Sequence, residues 1–523
     1  MPYLRRVAAP FLLFLTFAVA GCGGGTSSGG DDPASAAPRD AAMYFEATVR
    51  PEGSLRDDAL AAVGKVMRTD DPEGKIKELV GKAFAESQDP HIDYARDIEP
   101  WLGEKVAAWF AVPTDQGAEE ANGVVIASAT DEDKASEAVD RVISSSDEKF
   151  TEKEYEGVSY KAASEGAVAV TDGFVLFGTE PALKQTIKAI DGDSLAETDR
   201  YADAVDELED EGLAHFFVDA KAFVDAALKT DPQAAAQLQQ FRSLFPIDKL
   251  GPVTGAFSAN GDRLAVDAVT TAEGADVFKR FGALTGTGST PLLGELPGDA
   301  WAAFGSPKLG ETARALYQQA AGAFGGAAIA EQLRSQLGLD LEQDVFSWIG
   351  DVAVFARGST VDTVDGGLVI EVTDQERAAS AFGKLIGLAR TRGGLNARPT
   401  QVEGAESAFQ VMSPDAPKPI VIARGAERVA VTYGAEAAKE ALSPGAKLSD
   451  SDMFGEATDL LGDDLEPAFM VGIEPIVALV ESAGEAGPEW DEARPYVEAF
   501  SVFASGGKVD DDRGRSRVVV GLK

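Results

Sequence analysis

One amphipathic stretch occurs twice in the sequence, and this repetition constrains the fold more than any other feature. The stretch TDEDKASEAVDRVI spans residues 130–143, and TDQERAASAFGKLI spans residues 373–386. In both copies apolar residues recur at i, i+3, i+4, i+7 and i+8, which places them in one stripe along a helix. A threonine, Thr130 or Thr373, precedes an acid by three residues, so we expect a capping box at each helix start.

The repetition extends well beyond this helix. Three further pairs of segments match in the same order: PRDAAMYF from Pro38 with PGDAWAAF from Pro297, DIEPWLGEKVA from Asp97 with DVFSWIGDVAV from Asp344, and LAETDRYADAVDELEDEGLAHFFV from Leu195 with LSDSDMFGEATDLLGDDLEPAFMV from Leu448. The sequence therefore predicts two copies of one unit, residues 38–275 and 295–523, joined by a linker at 276–294.

Within each copy, short extended segments rich in valine, alanine and phenylalanine alternate with amphipathic helical segments. Strands that follow one another through short Gly/Asp turns pair antiparallel. No βαβ run with a glycine fingerprint is present in the sequence. These patterns predict an α+β protein with two tandem copies of a unit, in which helices pack on a largely antiparallel sheet.

An Asp-x-x-x-Trp-Leu/Ile-Gly step is repeated in both copies. It places Trp101 and Gly103 in the first copy and Trp348 and Gly350 in the second. Tryptophan contributes a large buried surface, and glycine permits backbone conformations that other residues avoid. We interpret the tryptophans as core anchors and the glycines as turn residues, all four being structural anchors of the repeat.

The first 21 residues have the pattern of an export signal. Two arginines, Arg5 and Arg6, precede an apolar run at residues 7–20. This run is too short to remain a transmembrane helix, which needs about 20 apolar residues. Residues 1–21 are therefore predicted to be a signal peptide that directs export from the cytoplasm.

The end of this signal, Val19-Ala20-Gly21-Cys22, resembles the bacterial lipobox. The resemblance implies that Cys22 receives a diacylglyceryl thioether and fatty-acyl chains such as palmitate after the signal is cleaved. Cys22 is also the only cysteine in the chain, so no internal disulfide can form. Two or more acyl chains give lasting attachment, at about 0.8 kcal/mol per buried methylene. The expected location is a cell membrane or envelope, with the body outside the cytoplasm.

Residues 22–37, CGGGTSSGGDDPASAA, are rich in Gly, Ser, Pro and Ala. Such a composition is typical of a flexible tether. A Gly-rich coil of about sixteen residues has a root-mean-square reach of roughly 20 Å. The segment contains GTSSG, which satisfies the pattern of a hydrolase nucleophile elbow, but no strand and helix flank it as that chemistry requires.

Charge and residue usage exclude several functions. The chain has 47 Lys plus Arg against 87 Asp plus Glu, a formal charge of −40, which repels nucleic acid. With only two histidines, His91 and His215, the chain offers little material for a catalytic triad or a multi-histidine zinc site. We interpret His215, which lies in an apolar strand, as structural. The sequence predicts no catalytic residues, no metal site and no cofactor.

The repeated motifs resemble a bacterial family of exported, often lipid-anchored proteins that share a domain of unknown function, the domain-of-unknown-function 3352 type. The resemblance rests on the Pro-x-Asp-Ala segment before the first strand, the Asp-x-x-x-Trp step and the Thr-Asp helix. It implies an envelope location and the duplicated α+β architecture. It brings no activity and no catalytic residues with it.

Three functions remain open at this point. The first is a noncatalytic binding or scaffold protein with a partner in the cell envelope. The second is a carrier or sensor of an apolar ligand, which requires a large apolar cavity. The third and least favoured is a hydrolase that works through carboxylates or a serine, which requires perturbed acids that converge in one cleft.

Overall fold

The computed structural model describes residues 32–86, 92–111, 122–146, 148–164, 166–208, 212–222, 224–225, 247–273, 277–278, 288–323, 331–332, 334–336, 338–391, 396–412, 417–484, 487–510 and 512–523. The signal peptide, the lipobox, Cys22, the first ten residues of the tether and His91 lie outside the described residues. The chain forms two compact units: unit 1 holds the described residues up to 225 with 247–271, and unit 2 holds those from 272 onward.

The described part of unit 1 is built on an antiparallel sheet with the strand order β10–β9–β8–β1–β2–β3–β7–β6–β5–β4. Its strands are β1 (Met43–Thr48), β2 (Leu102–Phe110), β3 (Gly123–Ala129), β4 (Thr151–Tyr155), β5 (Val158–Ala162), β6 (Ala167–Thr171), β7 (Phe174–Gly178), β8 (Ala214–Val218), β9 (Leu250–Ala259) and β10 (Arg263–Ala272). Its helices are α1 (Gly53–Met67), α2 (Pro72–Glu86), α3 (Glu132–Ser145), α4 (Glu180–Ile190) and α5 (Asp199–Val205).

Unit 2 repeats this order strand for strand, as β20–β19–β18–β11–β12–β13–β17–β16–β15–β14. Its strands are β11 (Ala300–Ser306), β12 (Ile349–Arg357), β13 (Asp365–Val372), β14 (Arg398–Thr400), β15 (Ser407–Val411), β16 (Ile420–Arg424), β17 (Arg428–Tyr433), β18 (Pro467–Gly472), β19 (Phe500–Asp510) and β20 (Arg513–Leu522). The predicted α+β class with a largely antiparallel sheet is confirmed.

The described helices of unit 2 correspond to those of unit 1 only in part. They are α6 (Pro291–Gly294), α7 (Leu309–Ala323), α8 (Gln375–Thr391), α9 (Ala435–Leu442), α10 (Asp452–Leu461), α11 (Ile473–Ala483) and α12 (Pro488–Val497). A π-helical turn precedes the second strand of each unit, at Tyr94–Ile98 in unit 1 and at Leu341–Phe346 in unit 2. In the described part of the chain, no helix combines the length and apolar character needed to cross a membrane.

Each sheet has two faces, named here by the helix that packs on them. In unit 1, α4 covers a face that carries Tyr44 and Trp109, and α3 covers part of the other face. In unit 2, α9 and α8 take the same places. The repeated helices of the sequence are therefore α3 and α8, and their alanines lie against the sheet because small side chains allow close helix packing.

The capping-box prediction for these helices is wrong by one residue. The side chains of Asp131 and Asp374 each accept a hydrogen bond from the backbone N–H three residues later, at 3.0 Å in both cases. Thr130 instead donates its backbone N–H to the carbonyl oxygen of Trp101 at 2.8 Å. Aspartate is as good an N-cap as threonine, and the tertiary hydrogen bond decides between them.

The predicted tether is wrong at its C-terminal end, because residues 33–37 are packed into unit 1. Pro33–Ser35 forms a 3-10 turn whose first N–H groups are capped by Asp32, which accepts from the backbone of Ala34 at 3.1 Å. Ala34, Ala36 and Ala37 are 0% exposed. A capping acid followed by proline is a helix-start signal, and here it outweighs the flexible composition around it.

The predicted linker, residues 276–294, is wrong at its C-terminal end. Thr290 accepts a hydrogen bond from the backbone N–H of Leu292 at 3.1 Å and caps α6. Leu292 and Leu293 are 7% and 1% exposed, so residues 290–294 belong to unit 2. Both units thus begin with a capped proline turn, which closes one end of the core before the first strand.

Candidate functional site

The repeated Asp-Trp step forms the same hydrogen bond to a largely buried tryptophan in both units. Trp101 is 5% exposed and Trp348 is 4% exposed. Each indole N–H donates to the carbonyl oxygen of the aspartate four residues earlier, Asp97 at 2.6 Å and Asp344 at 3.0 Å. The satisfied indole and the burial agree with a role as core anchor.

The carboxylates of this step join the π-helical turn to the repeated helix. Asp97 lies 3.3 Å from the guanidinium of Arg141 on α3, and Asp344 pairs with Lys384 on α8. The hydrogen bond from Arg96 holds the pKa of Asp97 below its usual range. The pair lies at the same place in both units, so these charges on the repeated helix maintain the fold.

Gly103 and Gly350 are not turn residues, which corrects the sequence interpretation. They lie in the first residues of β2 and β12. A Cβ on Gly103 would lie 2.5 Å from the Oγ of Ser128, and one on Gly350 would lie 2.6 Å from an Oε of Glu371. At Gly103 the backbone carbonyl oxygen of Ser128 would also lie 2.9 Å from the Cβ, so the neighbouring strand leaves no room for a side chain. At Gly350 the close atoms belong to the side chains of Glu371 and Thr373, which would have to move to admit a Cβ.

The α8 face of unit 2 carries an exposed apolar surface. Phe304 on β11 lies directly opposite Val354 on β12 and Phe469 on β18. Directly paired residues point to the same side of a sheet, so these side chains form one row. Phe304 is 38% exposed and Val354 is 44% exposed.

This row continues across the sheet. The apolar face of unit 2 is defined here as Phe304, Val354, Leu368, Val431, Phe469 and Phe503. The rings of Phe469 and Phe503 lie 5.8 Å apart in a T-shaped contact. An antiparallel sheet that faces water normally alternates apolar and polar residues. Here the residues that alternate with the row, such as Phe355 and Met470, are buried, so both sides of the sheet are apolar.

The equivalent surface of unit 1 is covered more fully. Phe45 takes the place of Phe304, and its partner Ala108 is only 6% exposed where Val354 is 44% exposed. Helix α1 extends towards the β9–β10 hairpin, where Lys65 lies 3.5 Å from Asp262. In unit 2, α7 lies against β12 and the π-helical turn. The two units therefore have sheets of the same strand order but differ in how much of this face is exposed.

A cluster of ionisable groups distinguishes the α4 face of unit 1. Glu46 is 6% exposed and accepts from the Tyr44 hydroxyl at 2.6 Å. Its other oxygen lies 2.8 Å from the Nζ of Lys105. His215 is directly opposite Glu46 on β8, and the ring of Tyr201 packs edge-on against Tyr44 at 5.8 Å.

Burial has the largest influence on the pKa values of the groups in this cluster. Loss of water raises the pKa of Asp32, and the nearby charge of Glu46 raises it further. Burial raises the pKa of Tyr44 and Tyr201 well above the usual tyrosine value. Burial alone would lower the pKa of Lys105, but its pairing with Glu46 outweighs this and the pKa is raised. Lys105 and Tyr44 stabilise the charge of Glu46, whereas Glu46 disfavours a second negative charge on Asp32.

Unit 2 does not repeat this chemistry. Ala303 and Gly305 stand where unit 1 has Tyr44 and Glu46. Asp351 stands at the place of Lys105, and it accepts from the Thr290 hydroxyl and from the backbone N–H of Lys308. The sequence analysis did not identify this cluster, because 87 acidic residues make any one pair uninformative before the strands are paired.

A cavity in the described part of unit 1 has a volume of about 470 Å³ and is lined by α5 and the β9–β10 hairpin. Asp203, Asp206, Thr270 and Thr271 line it. The lining combines these polar groups with Ala204, Pro252 and Val269, so it is not the predominantly apolar cavity that the carrier hypothesis requires. Within the ranges given above, no group of three or more His, Cys, Asp or Glu residues is placed to hold a metal ion.

A protein-family model described as "Protein of unknown function (DUF3352)" matches residues 7–469. The chain belongs to this family. The match includes unit 1 and continues through unit 2 into β18, so it contains the Asp-Trp step in both copies and most of the apolar face.

Other comparisons add little to the family membership. No curated protein matches the chain. Among solved structures, crystal form III of TP0453 is 13% identical over 46% of this chain and 80% of that chain, with a TM-score of 0.26. Crystal form I of TP0453 is 12% identical over 49% of this chain and 84% of that chain, also with a TM-score of 0.26.

Proposed function

We propose that this DUF3352 protein is a noncatalytic, lipid-anchored envelope protein that binds a partner protein through the apolar face of unit 2. One observation carries the proposal: Phe304 and Val354 are paired on neighbouring strands, and both are more than one-third exposed, at 38% and 44%. Contiguous exposed apolar residues on a folded protein mark interaction sites, whereas scattered ones do not.

The shape of the surface favours a protein partner. Small-molecule sites are concave and enclose most of the ligand, whereas protein interfaces are broad and have aromatic side chains at their centre. The apolar face is a row across several strands, with Phe304 and Phe469 side by side. Phenylalanine residues in such a position can insert into a complementary surface as anchors.

The lipid anchor is proposed from the lipobox resemblance at Val19 to Cys22. The described part of unit 1 starts at Asp32, which leaves residues 23–31 for the tether proposed from the sequence. A Gly-rich coil of this length has a root-mean-square reach of about 17 Å. Unit 1 would therefore be held close to the membrane surface. Replacing Cys22 with serine should release the protein from the membrane fraction, and continued attachment of that variant would contradict the anchor.

The binding proposal is tested by co-purification from the cell envelope. The double variant F304S/V354T removes the most exposed side chains of the face, and V266T changes an apolar side chain on β10 that is 36% exposed. We expect a partner that co-purifies with the wild type and V266T to be depleted about tenfold with F304S/V354T. Equal recovery from all three proteins would refute the apolar face as the binding surface. Thermal unfolding of the variants controls for loss of fold.

A further inference from the structure

The strand ends beside the apolar face are acidic. Asp299 immediately precedes β11, Asp362 lies in the loop after β12, and Glu474 lies in the first turn of α11 after β18. All three residues are exposed. Because β11, β12 and β18 are the strands that carry Phe304, Val354 and Phe469, these acids lie at the edge of the sheet that runs along one side of the apolar row.

The cations near these acids, Arg357 and Lys418, already interact with other groups of the protein. The Nε of Arg357 lies 2.6 Å from Asp365, and its guanidinium also lies 3.4 Å from Asp299. The side chain of Arg357 is only 11% exposed, and its single positive charge is shared between Asp365 and Asp299, so these three groups keep a net negative charge. Lys418 donates its Nζ to the carbonyl oxygen of Val364 at 2.9 Å. The net field at this edge is negative, as it is for a whole chain with a formal charge of −40.

We infer that the apolar face takes a cationic amphipathic segment of the partner protein, in which apolar residues lie on the sheet and Lys or Arg residues lie beside Asp299, Asp362 and Glu474. This inference rests on the proposed function and adds the chemistry of the partner. An amphipathic segment supplies apolar anchors on one side, and charge complementarity sets its orientation and excludes acidic segments. The same acids disfavour a membrane of anionic lipids as the occupant.

The inference is tested with synthetic amphipathic peptides of about fourteen residues, which is long enough for four helical turns. Three peptides share one leucine pattern and carry lysine, serine or glutamate at the polar positions. Binding to the full chain is measured by fluorescence anisotropy at low salt. We expect the lysine peptide to bind at least about tenfold more tightly than the serine peptide, and the glutamate peptide to bind most weakly.

Two variants separate the apolar and the charged contributions. F304S/V354T should weaken the lysine and serine peptides alike by about tenfold. D299N/D362N/E474Q should weaken the lysine peptide several-fold and leave the serine peptide unchanged. V354T alone, a change of similar shape at a 44% exposed site, replaces the double variant if the latter fails to fold.

The outcomes distinguish failure of this inference from failure of the proposed function. If the three peptides bind equally but F304S/V354T still weakens them, the charge inference is overturned and the binding face stands. If F304S/V354T changes none of the affinities, both fail. Binding to neutral phosphatidylcholine vesicles that is lost in F304S/V354T, without any peptide binding, would replace the peptide partner with a lipid surface and overturn the inference.

Discussion

Replacing Lys105 with methionine removes the cation that faces the buried carboxylate of Glu46. The Nζ of Lys105 lies 2.8 Å from the carboxylate, and the side chains of Glu46 and Lys105 are 7% and 36% exposed. Removing one partner of a fully buried ion pair costs about 3–5 kcal/mol. Because Lys105 is partly in water and Tyr44 still donates to Glu46, we expect a smaller loss of about 2 kcal/mol.

This loss should be local to unit 1. Hydrogen exchange measured by mass spectrometry should show faster exchange in peptides from β1 and β2 of K105M, by a factor of about 30 for 2 kcal/mol. Peptides from β11 and β12 provide the internal control, since Gly305 and Asp351 stand at these places in unit 2. The double variant E46Q/K105M should recover most of the protection. Unchanged exchange in K105M, or no recovery in the double variant, would refute the account of the pair.

Three further predictions follow from the structure. Because the pKa of Lys105 is raised, its stabilising contribution is present below its usual value of 10.5 and is lost as pH rises through the folded value. Wild-type unit 1 should therefore lose more stability at alkaline pH than K105M, which keeps only the alkaline loss caused by the buried Tyr44 and Tyr201, as followed by circular dichroism. Hydrogen bonds from Lys153, Lys184 and Tyr160 lower the pKa of Glu180 to about 2. The stabilising contribution of Glu180 is therefore present above its usual pKa of 4.5 and is lost as pH falls through about 2. K153M should raise the pKa of the Glu180 carboxyl, as measured by NMR titration. Ala36→Glu places a charge at a 0% exposed site and should lower the thermal stability of unit 1 by several degrees, whereas an unchanged melting curve would show that this turn is part of the tether after all.

Much of the fold could be predicted from the sequence because matching segments occur in it twice. Matching segments in one order predicted an antiparallel α+β unit, and the strand order of unit 2 repeats that of unit 1. The turn at Pro33–Ser35 was missed because small residues have the composition of a linker, and only the structure shows the space that Ala36 and Ala37 fill.

The candidate site could be predicted less well from the sequence, because it depends on which side chains the tertiary structure leaves exposed or brings together. The sequence of β12, IGDVAVFAR, is apolar at successive positions, a pattern that fits a strand covered on both sides. Whether Val354 is covered depends on how far a helix reaches across the sheet, which periodicity does not encode. The ionisable cluster likewise joins Asp32, Glu46 and Lys105, which only strand pairing brings together.

Site-specific photo-crosslinking in cells tests the central claim most directly. A photoreactive benzoylphenylalanine is placed at Phe304, at Val354 or, as the control, at Val266 of the full chain. The proposed function predicts that positions 304 and 354 give a crosslink to the same envelope protein, and that position 266 gives none. Absence of that adduct at both positions, or an equal adduct at position 266, would contradict a binding role for the apolar face of unit 2.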